Sequence, residues 1–293
     1  MPRLDDGTSS GYTMNRPTAV AGTWYPGTPA ALTREVDTYL DAAPAAVEGD
    51  LRAIIVPHAG IIFSGPVGAY AYNAAAGRNF EVAVLVGPSH FVAFDGVALW
   101  PDGAFETPLG PARIDEAGAR AISASPVVQP RPDAHRREHS LEMQLPFLKR
   151  VLPDVPIVPL LIGFQRRDTI EAVAQAIATA FAGRRALLVA STDLSHYLDA
   201  NTATQLDARV QQCVNAFDAD ALLELFEQYP EHQRGQYVAC GGGAAIAVMK
   251  AAKALGATSG RVLKYGHSGE VSGDYDGVVG YMAAAMGTFA NAH

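Results

Sequence analysis

Two histidines and an Asp–His pair follow three separate apolar runs of the sequence. His58 ends "LRAIIVPH", His90 ends "EVAVLVGPSH", and Asp193 and His196 follow "RALLVAST". Such runs are typical of buried parallel strands, whose carboxyl ends form the ligand-binding edge of an open α/β sheet. Neutral imidazoles bind iron, copper, zinc or nickel. Each histidine alone could simply donate a hydrogen bond to a backbone carbonyl of a loop, but three histidines in equivalent positions favour a metal site.

Cys240 is the candidate for an anionic metal ligand. It stands before three glycines at the start of a helix predicted over 240–256, where unpaired amides and the helix dipole favour a thiolate. The glycines let the backbone approach a ligand closely or let the helix pack tightly. The alternative is an inert buried thiol at a tight turn. Cys213 lies within a helical stretch and is predicted to be a core or semi-buried residue.

The stretch "REHSLEMQLPFL" is a second dense group of polar side chains. His139 and Glu142 are three residues apart and share a helix face if a helix begins this early. They are candidates for a hydrogen bond to a metal ligand or for a substrate contact. Plain helix capping with a solvated face is the alternative.

Further aromatic and imidazole side chains are weaker candidates for the same pocket. Trp24 and Tyr25 either wall it or belong to the core. His267 follows a predicted strand near the C-terminus and is another pocket candidate. His135 and His232 lie in polar segments and are predicted to face solvent.

Apolar runs that alternate with helical patterns predict one α/β domain, with a mostly parallel central sheet and helices on both faces. We expect a flexible tail over residues 1–16 and a single domain over 17–290. Helices are predicted over 65–77 and 201–229. Pro159 suggests that the strand "VPIVPLLIG" lies near a sheet edge.

Composition narrows the function. The 293 residues carry a net charge of −8 and a pI near 5.4, which argues against nucleic acid as a partner. Two cysteines exclude a disulfide framework, and neither a signal peptide nor a membrane span is recognisable, so we expect a cytoplasmic protein. Dinucleotide, P-loop and nucleophile-elbow motifs are missing, which disfavours those sites.

A series of motifs resembles one family over nearly the whole chain, from Ala21 to about Met286. In order they are "AGTWYP", "IIVPHAG", "VGPSH", "EHSLEMQLPFL", "STDLSHY", "ACGGG" and "SGEVSGDYDGVVGY". The chain resembles the Memo family, which is also the protein B component of a bacterial system with a radical-SAM protein and an AMMECR-type protein. That family is similar in fold to the class III extradiol ring-cleaving dioxygenases, which hold a non-haem iron.

The resemblance implies a role for each residue of the site. His58 of "PHAG", His90 of "GPSH" and Cys240 of "ACGG" would bind the metal, with a thiolate in place of the carboxylate of the dioxygenases. Iron(II) is the expected cofactor. Because sulfur is a softer ligand than oxygen, copper is an alternative metal for the site, and zinc is also possible. His196 of "DLSHY" matches the dioxygenase base, and Asp193 would orient it or accept a proton.

Two positions depart from the family pattern. Ala244 stands where a proline is common, and His267 stands where another polar residue is usual. Both are expected near the pocket, so substrate choice is expected to differ here.

Three functions are compatible with these residues. The first is an iron-dependent, dioxygenase-like oxidoreductase acting on a small substrate such as a phenol. The second is a non-catalytic metal-binding protein for redox signalling or for assembly with the radical-SAM and AMMECR-type proteins. The third is a zinc hydrolase that uses a metal-bound hydroxide.

Overall fold

The structure is a computed structural model that describes residues 14–44 and 47–289. Its strands are β1 (Gly49–Val56), β2 (Val82–Pro88), β3 (Val97–Leu99), β4 (Ala104–Phe105), β5 (Ala112–Arg113), β6 (Val128–Pro130), β7 (Ile157–Ile162), β8 (Ala186–Ser191), β9 (His196–Leu198), β10 (Ser259–His267) and β11 (Val278–Phe289). Its α-helices are α1 (Pro29–Ala42), α2 (Ile61–Ala75), α3 (Glu116–Ile122), α4 (Pro132–His135), α5 (Leu145–Val151), α6 (Arg167–Ala180), α7 (Ala200–Asn215), α8 (Ala219–Glu227), α9 (Arg234–Tyr237), α10 (Gly242–Ala254) and α11 (Gly269–Ser272). Single 3-10 turns span Glu142–Gln144 and Glu231–Gln233.

One mixed sheet runs through the domain in the order β10-β11-β1-β8-β2-β7-β3-β6. Its centre, β1-β8-β2-β7, is parallel throughout. On one side, β11 joins β1 and β10 joins β11, both antiparallel, and on the other side β3 is antiparallel to β7. The predicted single α/β domain with a mostly parallel central sheet is therefore confirmed, with antiparallel strands added at both flanks.

The central strands are apolar because both faces of the sheet are covered. Every residue of β2, β7 and β8 is buried. On one face α10 packs against β8, β2 and β1, with α6 and α8 beside it; α2 packs against β1, β10 and β11, with α1 and α5 beside it. Parallel strands buried on both faces show continuous apolar runs, as this sequence does.

The prediction that Pro159 marks a strand near the sheet edge was wrong. β7 lies between β2 and β3, and Pro159 stands opposite Leu85 of β2. β3 pairs with β7 only over Leu160–Ile162, so the ladder on that side stops one residue short of the proline. A residue without an N–H is tolerated where the ladder ends.

Two helix predictions had wrong bounds. α2 begins at Ile61, four residues earlier than predicted, and includes Pro66. The stretch predicted as one helix over 201–229 is two helices, because Phe217 has a left-handed φ of 52° and Asp218 caps α8 by accepting hydrogen bonds from two amides of its first turn.

The folded part reaches further towards the N-terminus than predicted. Residues 1–13 of the expected tail lie outside the described residues, but Arg16 is fully buried. Its guanidinium bonds the carboxylate of Glu142 at 2.7 Å and the carbonyl oxygen of His135 at 2.7 Å. His135 itself is 1 % exposed, which corrects the prediction of a solvent-facing histidine, whereas His232 is exposed as predicted.

Among the helices of residues 14–44 and 47–289, none combines the length and the apolarity that crossing a membrane requires.

Candidate metal centre

Three neighbouring parallel strands deliver the polar residues to one edge of the sheet. His58 follows β1 by two residues, His90 follows β2 by two, and Asp193 follows β8 by two. Because β8 lies between β1 and β2 in a parallel arrangement, the three carboxyl ends are adjacent. Cys240 arrives from the other direction, two residues before α10.

A cavity of about 640 Å³ opens at this edge. Its lining residues are Trp24, His58, Ala59, Gly60, His90, His139, Asp193, His196, Tyr197, Gly235, Gln236, Cys240 and Val279. The predicted metal ligands and the predicted acid–base pair thus share one cavity.

The side chains of His58, His90 and Cys240 converge on a common point. One ligand atom of each lies within 4.8 Å of those of the other two, and Cys240 Sγ is 3.2 Å from His58 Nε2. The two imidazole rings stand edge to face with centroids 5.2 Å apart. Gly241 permits the approach of the cysteine, because a Cβ there would lie 2.4 Å from the carbonyl oxygen of Ser191.

Hydrogen bonds determine which nitrogen of His58 is free. Its Nδ1 lies 3.0 Å from Ser191 Oγ, and that hydroxyl donates its only proton to the carbonyl oxygen of Ser140 at 2.6 Å. Ser191 Oγ also accepts from Gln144 Nε2 at 2.8 Å. His58 Nδ1 must therefore carry a proton, so Nε2, which faces Cys240, is the nitrogen that can bind a metal.

Glu138 orients the second histidine. Its Oε1 lies 2.9 Å from His90 Nδ1, and its Oε2 accepts from the backbone amide of His90 at 2.6 Å. The carboxylate accepts the Nδ1 proton, so Nε2 is the nitrogen of His90 that can bind a metal after losing its own proton. Carboxylate–histidine pairs of this kind hold metal-binding imidazoles in place. The sequence reasoning missed Glu138, although it stands next to His139 in the quoted "EHS" motif.

Electrostatic effects within the cluster favour an imidazolium–thiolate arrangement when no metal is bound. Burial lowers the pKa of His90, but hydrogen bonds to Cys240 and Glu138 outweigh it and raise that pKa to about 10. Burial raises the pKa of Cys240, but the charge of His58 and hydrogen bonds to both histidines lower it to about 6. A thiolate at neutral pH is the form that binds metals.

His139 and Trp24 form an aromatic wall of the cavity. The rings of His139 and His90 stack at 4.6 Å, and the indole of Trp24 lies 4.3 Å from His139. Burial, followed by the charge of His58, lowers the pKa of His139 to about 3, so the ring is neutral. Its Nδ1 is buried and has no hydrogen-bond partner among the described residues.

Hydrogen bonds also determine which nitrogen of His196 is the donor. Its Nδ1 lies 2.7 Å from the carbonyl oxygen of Leu194 and 2.9 Å from that of Gly235. Since both neighbours only accept, Nδ1 carries the proton and Nε2 is free to accept another. Asp193 is buried and receives the amide of His58 at 2.7 Å; burial raises the pKa of this carboxyl, against the opposing charge of His196.

Asp207 supports the loop that carries His196, and the sequence reasoning missed it. This fully buried carboxylate accepts the amide of Ser195 at 3.0 Å and the hydroxyl of Tyr265 at 2.9 Å. Gly280 is required beside it, since a Cβ there would lie 1.9 Å from Asp207 Oδ2. No local pattern marks Asp207, because it lies in the middle of α7.

Glu142 and Tyr25 do not line the cavity, contrary to expectation. Both are buried, and Tyr25 donates to Glu142 at 2.7 Å. Glu142 also accepts the amides of Ala19 and Val20 and pairs with Arg16, so it ties the N-terminal segment to the domain. The 3-10 turn begins only at Glu142, so this residue shares no helix face with His139.

The two departures from the family pattern also lie elsewhere. Ala244 is fully buried within α10. His267 lines a separate cavity against α2. Neither residue lines the cavity of the metal centre, so the expectation that they alter its substrate choice loses its geometric basis.

The donor set fits a transition metal. Nitrogen and sulfur ligands about 2.0 and 2.3 Å from one ion lie about 3.1–3.5 Å apart for ligand angles of about 90–109°, and the His58–Cys240 separation of 3.2 Å lies in this range. If these three residues bind a metal, they would leave further coordination positions open, as in reactive rather than structural sites.

Comparison with known proteins agrees with the motif pattern. The family described as "Memo-like protein" matches residues 16–285. The chain belongs to the Memo family. A MEMO1 family protein of Methanopyrus kandleri is 36% identical over 283 residues, which cover 92% of this chain and 98% of that protein. A Thermotoga maritima member of the Memo family is 34% identical over 288 residues and is covered completely.

A solved structure has the same fold. This is an uncharacterized protein of Escherichia coli K12, similar at a TM-score of 0.57 with 14% identity, covering 81% of this chain and all of that one. At this identity the likeness extends to the fold alone.

Proposed function

We propose that this Memo-family protein is a non-haem iron(II) oxidoreductase of dioxygenase type acting on a small phenolic substrate. The observation that carries the proposal is the convergence of His58, His90 and Cys240, with both imidazoles fixed so that their free nitrogens face the same point. A thiolate with two imidazoles suits iron or copper, and three ligands leave room for substrate.

The chain's own residues supply binding and proton transfer. A ferrous ion held by His58, His90 and Cys240 would supply the redox chemistry with molecular oxygen. His196 Nε2 accepts the proton of a substrate hydroxyl, because its Nδ1–H is already held by two carbonyl oxygens. The neutral ring of His139 and the indole of Trp24 orient an aromatic substrate by stacking.

Oxygen consumption tests the catalytic proposal. Protein purified without oxygen is loaded with one equivalent of iron(II) and mixed with oxygen and a panel of catechols. We expect His196→Ala to keep its iron but to lose about 100-fold or more in oxygen uptake, the usual contribution of a positioned base. His232→Ala, at an exposed histidine, is the matched control. Equal uptake by the wild type and His196→Ala would remove the catalytic role.

A specific observation favours a second function, assembly with the radical-SAM and AMMECR-type proteins. Tyr197 and Trp24, which line the cavity, are 76% and 38% exposed, and Phe91, whose ring lies 5.9 Å from that of His139, is 52% exposed. Exposed aromatic groups of this kind often mark interaction surfaces. Binding of the purified partners is measured by sedimentation, and Phe91→Ser with Tyr197→Ser should weaken it. Sedimentation as separate species would refute this role.

A further inference from the structure

A second cavity of about 240 Å³ lies against α2. One of its walls is the apolar stripe Phe63, Pro66, Val67 and Tyr70, whose spacing places the four side chains on one face of the helix. The opposite wall comes from β10, α11 and β11.

Two opposite charges line this cavity without pairing with each other. Lys264 extends over the ring of Tyr70, with Nζ 5.9 Å from the centroid, and Glu270 approaches from α11. Within the described residues neither side chain forms an ion pair. Because the two side chains line one cavity without pairing with each other, each can form a charge-assisted hydrogen bond with one end of a ligand that carries both charges.

His267 lines the same cavity. Its Nδ1 is buried, so the imidazole forms part of the cavity wall and the charged groups that a ligand can reach are Lys264 and Glu270.

We propose that this cavity binds a small zwitterion, an α-amino acid with an apolar side chain. The carboxylate of the ligand pairs with Lys264, its ammonium group pairs with Glu270, and its side chain packs on the α2 stripe. The proposal goes beyond the oxidoreductase function and needs no metal. β11 adjoins both sites, because Val279 lines the metal cavity and Tyr281 lines this one.

Titration with L-leucine tests the proposal on the full-length, metal-free protein. We expect one-to-one binding by calorimetry. Lys264→Met and Glu270→Gln should each weaken binding by about tenfold or more, the value of a charge-assisted hydrogen bond. Lys253→Met and Glu48→Gln, at exposed positions elsewhere, are the matched controls and should bind as the wild type does.

Two analogues of leucine, each lacking one charged group, test the two ion pairs separately. 4-Methylpentanoate lacks the ammonium group and 3-methylbutylamine lacks the carboxylate, so each should bind more weakly than leucine. The proposal is overturned if leucine does not bind, if either analogue binds as tightly, or if the Lys264 and Glu270 variants bind like their controls. Thermal unfolding of each variant establishes that it is folded. None of these outcomes depends on oxygen consumption at the metal centre.

Discussion

Glu138→Gln is the sharpest test of how the metal centre is held. Glu138 Oε1 accepts three N–H groups, from His90 Nδ1 at 2.9 Å, the amide of His139 at 3.0 Å and the amide of Ser140 at 2.9 Å. Oε2 accepts the amide of His90. Glutamine has the same shape but only one acceptor oxygen, so its NH₂ group must face at least one donor.

The expected loss follows from these contacts. Burial, the largest single effect, raises the pKa of Glu138, but the hydrogen bonds and charge of His90 together with the charge of His139 lower it to about 2, so the native group is a carboxylate. Losing one charge-assisted hydrogen bond corresponds to about 1.5–3 kcal/mol, or roughly 10- to 150-fold in affinity. Variants of carboxylates behind metal-binding histidines lose about 10- to 100-fold. We therefore expect iron(II) affinity to fall by about 10- to 100-fold.

The assay is competition with a coloured iron(II) chelator under anaerobic conditions. His90→Ala sets the upper limit of the loss, and Glu224→Gln, at an exposed glutamate of α8, is the matched control. Circular dichroism melts show whether Glu138→Gln is folded. Iron affinity that is unchanged in folded Glu138→Gln would refute the argument that this carboxylate fixes the His90 tautomer.

Three further predictions concern the ligand sulfur, acid stability and packing. Cys240→Ser should weaken copper(I) binding by at least about tenfold, since an oxygen ligand is harder than a thiolate; competition with a copper(I) chelator measures it. Burial lowers the pKa of His135 to about 3, so the unfolded chain binds more protons and stability falls as pH falls from 6.5 towards 3. His135→Gln keeps a donor for the carbonyl oxygen of Ala98, which lies 3.1 Å from His135 Nε2. Between pH 6 and pH 5, the free energy of unfolding of this variant, measured in urea, should therefore fall by about 1 kcal/mol less than that of the wild type. Gly280→Ala should destabilise the fold by about 1–3 kcal/mol through overlap with Asp207, as chemical denaturation would show.

Each of these predictions has a control within the chain. Cys213→Ser should leave copper(I) affinity unchanged, and an equal loss would contradict ligation by Cys240. His232→Gln should retain the acid sensitivity of the wild type, because that histidine is exposed. Gly277→Ala should be nearly neutral, since a Cβ there meets nothing within 4 Å. An equal effect of the two alanine substitutions would rule out the Asp207 overlap.

The fold was predictable because its signals are local. Continuous apolar runs mark strands buried on both faces, and the histidines that follow two of them are therefore predicted to lie at one edge of the sheet. The helix errors also have local causes: Phe217 adopts a left-handed φ without being a glycine, and α2 continues through Pro66. Propensity alone predicts neither.

The amino-acid sequence by itself determined the family, the strand order along the chain and the residues that end each strand. Only the tertiary structure decided what those residues touch. Glu138 and Asp207 act through partners 48 and 12 residues away in the chain, so no spacing rule reveals them. Glu142 has the same polar character as Glu138 but bonds to Arg16, which lies 126 residues from it. A carboxylate's role is set by the donors that surround it, and those donors meet only when the chain folds.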